Sequence, residues 1–121
     1  MAAMTDTFHD LLRPEHAPHP AQVDAWRWTV RRRLVPVRDR LMEEPLHRRD
    51  AWLSARAEGV VRERDALLER LHRLSHQVLV ADEVDEVAAA LSRLLVDIEH
   101  HRQRLHDLAY DDVEIEIGGS E

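Results

Sequence analysis

The chain has no cysteine and no lysine, and it is poor in glycine and aromatic residues: three Gly, one Phe, one Tyr and three Trp among 121 residues. Without Cys there is no disulfide framework, no thiolate nucleophile and no Cys-built zinc or iron–sulfur site. With so few glycines there is no phosphate-cradling loop, and neither a Walker pattern nor a G-x-S-x-G elbow occurs. No apolar run approaches the ~20 residues of a membrane-spanning helix. Residues Met1 to Asp6 lack the basic and apolar regions of a signal peptide. A cytoplasmic protein of one domain is the expectation. No Ser/His/Asp set or cofactor motif argues for an enzyme, and no cofactor is called for.

What is present is charge, unevenly spread. Seventeen arginines face twenty-four acids, a formal net of -7. Residues 21–56 hold nine Arg and five acids (+4), whereas 107–121 hold six acids and no Arg (-6). The basic part and the acidic end are candidates for mutual or partner contacts.

Hydrophobic periodicity predicts an all-α fold: a three-helix antiparallel bundle on residues 20–110, built around a long hairpin with a coiled-coil-like seam. Residues 1–19, broken by Pro14 and Pro18, read as a flexible arm holding one apolar turn, Phe8, Leu11 and Leu12. A first long helix is expected over 20–43, kinked at Pro36, and a second over 45–80 opening at Pro45. In the second, Leu53, Ala57, Val60, Arg64, Leu67, Leu71, Leu74 and Val78 alternate spacings of four and three. Gly59 is a place where this helix could break. Asp82 is placed to cap a third helix over 83–110, whose seam continues through Val84, Val87, Leu91, Leu94, Ile98, His101, Leu105 and Leu108.

Tight turns between these helices predict a register. Leu71 meets Leu91 and Leu67 meets Leu94, while Val30 meets Val60 and Trp26 meets Arg64. The first long helix then ends near residue 68 of the second, leaving the distal hairpin uncovered. Leu68, Leu79, Val87, Ala88 and Leu95 would line an apolar groove. A second copy, completing a four-helix homodimer, is the favoured occupant; the Phe8 turn folding back is the alternative.

After Tyr110 the pattern changes. Val113, Glu114, Ile115, Glu116 and Ile117 alternate apolar and acidic residues with period two, ahead of Gly118 and Gly119. Residues 111–121 are therefore expected to be an acidic β-type tail that adds to the sheet edge or groove of another protein. An adaptor or scaffold that self-associates and docks a partner through this tail is the leading functional expectation.

Two other chemistries have residues to support them. Glu69, His72 and His76 share one helix face, with Glu86 near His76 across the hairpin, a ligand set for zinc or, loosely, for a di-iron-like bundle. Trp26, Trp28 and Arg31 to Arg33 mix aromatic and basic groups as nucleic-acid surfaces do, although consecutive residues spread around a helix. Two polar residues also occupy seam positions. His101 is expected to be a hydrogen-bonded core histidine, and Arg64 needs Asp97, His101 or Trp26 as partner.

Overall fold

A computed structural model of the chain describes the backbone of residues 2–44 and 51–119, with side chains for 7–44 and 56–108. Among these residues four α-helices form: α1 (Ala2–Leu11), α2 (Val23–Met42), α3 (Ala51–Val80) and α4 (Val84–Gly119). No strand occurs among the described residues. The connection from α1 to α2 holds two 3-10 turns, Pro14–His16 and Pro20–Gln22, each opened by a proline. Arg13 and His19, which precede those prolines, are extended, at ψ 144° and 150°. A proline ring clashes with a helical residue before it, so α1 cannot run on into α2.

The buried positions follow the expected spacing from Leu67 to Ile98, whereas the side chain of Leu53 lies outside the described ones. Leu67, Leu71 and Val78 of α3 and Val87, Leu91, Leu94 and Ile98 of α4 are buried in one core, with Leu74 and Val84 packed against it. The side chain of Asp97 lies 2.8 Å from Arg70, which confirms the antiparallel pairing of the two long helices. Helix α3 passes through Gly59 unbroken, and α2 continues through Pro36 as one helix. Pro36 is exposed, so the Arg32 carbonyl that loses its donor lies on the wet side.

The placement of α2 differs from expectation. Arg27 donates to the carbonyls of Val78 (2.9 Å) and Ala81 (2.6 Å), so α2 begins level with the α3–α4 turn. Glu44, just beyond its other end, meets His101. The register is displaced by about four helical turns from the one that pairs Trp26 with Arg64. That pairing assumed a tight turn at Pro45. Residues 45–50, on which it depends, lie outside the described ones, and α3 is described only from Ala51. Helix α2 therefore covers the distal half of the hairpin. The part beyond its reach is the opposite end, where Ala57, Val60, Leu105 and Leu108 make a small separate core. The Arg27 guanidinium also serves α3 as a C-terminal cap, placing a cation where the last carbonyls lack partners.

The N-terminal segment is a helix, not an arm. Phe8 (4% exposed) and Leu12 (2%) enter the same core as Trp26, Val87, Ala88 and Leu95. The Trp26 indole donates to the Leu11 carbonyl (3.3 Å), and His9 stands 3.4 Å from Glu99. Since His9 lies beside Glu99 while Leu12 to Pro18 lie beside Val84 to Arg93, α1 runs antiparallel to α4. The bundle thus has four helices, alternating in direction, and the chain supplies the fourth itself. The groove assigned to a second copy is filled: Val87, Ala88 and Leu95 are buried within one chain, and Leu68 and Leu79 are half-buried against the core. Burying two large side chains of α1 is favourable by roughly 1.5–3 kcal/mol each, enough to hold a short helix that would not persist alone.

The β-type tail is also corrected. Residues 113–117 continue α4, which runs to Gly119. An isolated strand leaves its backbone groups unpaired, whereas extending the helix pairs each N–H with the carbonyl four residues back. Val113 and Ile117 are four apart, so the same residues fit the helical period. From the level of His101 to Gly119, α4 reaches about 27 Å past the end of α2.

Candidate functional site

Two features stand out from the packed core. The first is a charge cluster where the end of α2 meets α3 and α4. His101 is fully buried. Its Nδ1 lies 2.6 Å from a Glu63 oxygen and its Nε2 lies 2.6 Å from a Glu44 oxygen. Each ring nitrogen thus faces a carboxyl oxygen of a different element within hydrogen-bond distance. Arg104 completes the cluster, with Nε 3.0 Å from one Glu63 oxygen and a terminal nitrogen 2.7 Å from the other. Burial pushes the Glu63 carboxyl up, but hydrogen bonds from Arg104 and His101 outweigh it and hold the group below its ordinary 4.5. With the ring sealed from solvent, no substrate can reach either nitrogen. The arrangement ties three helices together; it does not present a reactive atom.

The expected hydrogen-bonded role of His101 is thus met. The partners expected for Arg64 are not available to it. Asp97 is held by Arg70, His101 by two glutamates, and the Trp26 indole by Leu11. Arg64 stands 3.7 Å from its neighbour Asp65, and its buried Nε has no hydrogen-bond acceptor among the described residues.

The second feature is the outer face of α2. Trp28, Val35 and Met42 are 57%, 46% and 56% exposed, on a bundle whose other exposed large hydrophobics among the described residues are Val80 and Val96. The three are seven residues apart, two heptads in line, which places them on one stripe about 21 Å long. Their spacing was in the sequence. Trp26, Val30, Val37 and Leu41 carry a stronger core-facing pattern on the same helix and mask it.

The residues picked for metal lie apart from both features. Glu69, His72, His76 and Glu86 are all exposed, and no group of three His, Asp or Glu side chains among the described residues is placed to hold an ion. Arg31, Arg32 and Arg33 diverge around α2, Arg32 being exposed and the other two half-buried. The side chains of Val113, Glu114, Ile115, Glu116 and Ile117 fall outside the described ones. No helix among the described residues is long and apolar enough to cross a membrane. A cleft of about 270 Å³ lies between the Leu11–Pro18 connection and the first turns of α4, floored by Trp26 and Ala88.

No protein-family model, curated protein or solved structure matches this chain.

Proposed function

We propose that the protein is a non-catalytic interaction module, an adaptor that engages another protein through the outer face of α2. The observation that carries this reading is the aligned exposure of Trp28, Val35 and Met42, three of the five exposed large hydrophobics among the described residues. Single exposed hydrophobics are ordinary on soluble proteins, but three in register on one helix make a contiguous surface of the kind that marks interfaces. Tryptophan at one end of the stripe suits such a role, because its large rigid area is buried at little entropic cost. The His101 cluster and the Arg27 cap hold both ends of α2 against the hairpin, so the face is presented rigidly. A partner strand added to residues 113–117 and a second copy in the Val87–Leu95 groove form no part of this proposal.

The test is site-specific photo-crosslinking in the native cells. A photoreactive residue at Val35 should give a defined protein adduct, and one at Arg73, on the exposed side of α3, should not. Equal labelling from both positions, or none from Val35, removes the proposal.

A further inference from the structure

We infer that the cleft between the α1–α2 connection and α4 is a binding site for a free monocarboxylic acid with a compact apolar body. It is independent of the docking face, since Trp26 rather than Trp28 borders it. The cleft holds about 270 Å³. At the ~30 Å³ that one water molecule occupies, this is room for a molecule of about ten non-hydrogen atoms. The hollow exists because α4 meets the Pro14–Pro18 segment with the small side chains of Ala88, Ala89 and Ser92, which leave the space between them unfilled. Its floor is apolar: Leu12 (2% exposed), Trp26 (7%) and Ala88 (8%). The Trp26 N–H is already given to the Leu11 carbonyl at 3.3 Å, and Pro14 and Pro18 in the opposite wall have no N–H to give. The body of a ligand thus meets carbon rather than donors, which favours a hydrocarbon ring or branched chain over a sugar.

Three charged residues border the cleft: Arg13, Asp85 and Arg93. Asp85 stands in the first turn of α4, where the free N–H groups and the positive end of the helix answer a carboxylate. Arg13 is held by Asp10 at 3.2 Å. Arg93 forms no ion pair among the described residues. Of the residues one turn from it on α4, Ala89, Ala90 and Val96 carry no charge, and Asp97 is engaged by Arg70 at 2.8 Å. Asp85 and Glu86 lie about 10–12 Å from it along the helix axis. The unmatched charge of the cleft is therefore one guanidinium, next to the Ser92 hydroxyl, at the edge of an apolar hollow. A guanidinium takes a carboxylate through two parallel hydrogen bonds, a geometry that a neutral amide or an amine does not reproduce.

The experiment is a proton–nitrogen NMR titration of the full-length protein with phenylacetate, run beside phenylacetamide, phenethylamine and acetate. Phenylacetate should shift the Trp26 indole and Ala89 amide signals saturably. The neutral amide, the amine and the acid without a ring should each bind at least about tenfold more weakly. Arg93 is exposed, so Arg93→Gln should keep the parent melting curve, weaken phenylacetate at least about tenfold and leave phenylacetamide unchanged. Ala89 is exposed as well, and Ala89→Leu sets a larger side chain into the cleft from its rim. That variant should remove phenylacetate binding with no loss of stability. The inference is overturned if phenylacetate gives no saturable shift, or if the shifts centre on residues away from the cleft. It is overturned equally if phenylacetamide or phenethylamine binds as well as phenylacetate, or if either variant, folded as the parent, leaves the phenylacetate affinity unchanged.

Discussion

Replacing His101 by Phe probes the cluster that fixes the end of α2. The ring is fully buried and Phe, a slightly larger flat ring, fills its place, so the change removes donors without opening a cavity. Glu63 keeps Arg104, but Glu44, whose side chain is 8% exposed, loses the only partner it has among the described residues. Breaking a buried pair by removing one member costs about 3–5 kcal/mol. Glu44 sits one residue beyond the cap of α2 and can swing outward, which favours the lower figure of about 3 kcal/mol. A domain of 121 residues has a total stability of roughly 6–18 kcal/mol, so this is a large fraction. It corresponds to a fall of about 12 °C in Tm. The double variant His101→Phe/Glu44→Leu removes both partners of that contact and should recover to within about 1 kcal/mol of the parent. Urea denaturation followed by circular dichroism, with calorimetry as a second probe, measures both. A single variant that loses under about 1 kcal/mol, or a double variant as unstable as the single, refutes the reasoning.

Three further expectations follow from local geometry. A Cβ added at Gly59 meets nothing within 4 Å, and the position is helical, so Gly59→Ala should raise stability by about 0.5–1 kcal/mol in the same urea assay. Arg64 buries an Nε donor without an acceptor, so Arg64→Met should cost less than about 1 kcal/mol or stabilise, where removal of a satisfied buried arginine would cost more; thermal melts decide it. Glu63 is held below 4.5 in the folded state. A depressed carboxyl contributes stability above its unfolded value and loses it as pH falls through the folded one. Glu63→Gln should therefore flatten the drop in stability below about pH 4.5, as read from denaturation midpoints across an acid series.

The long hairpin was legible because its period is long. Sixteen seam positions over two helices outvote any local exception, and the near-immediate turn at Asp82 leaves one register. The position of α2 was not legible, because its register depends on how many residues the 43–50 connection consumes, and periodicity does not measure that. Helix α1 is hidden in the sequence for a related reason. Phe8, Leu11 and Leu12 are too few to make a helix by pattern alone, and it is their burial against Trp26 and Leu95 that gives the segment its structure. The alternation at Val113–Ile117 is five residues long, a length at which strand and helix readings cannot be separated without the tertiary setting. As for the candidate sites, the burial of His101 followed from its seam position, but Glu44 as its partner could not be named once α2 was misplaced. The stripe of Trp28, Val35 and Met42 was visible as a seven-residue repeat and carried meaning only when the other face of α2 was known to be buried.

The most direct measurement of the self-closed bundle is the stability of a chain beginning at Pro14 against that of the full chain. Phe8 and Leu12 lie inside the core shared by α2 and α4, so their loss should lower the unfolding free energy by roughly 3–6 kcal/mol, with a smaller denaturant dependence as less surface is left to expose. Equal free energies and equal slopes for the two chains would contradict the account, since they would mean that the N-terminal helix contributes nothing to the fold.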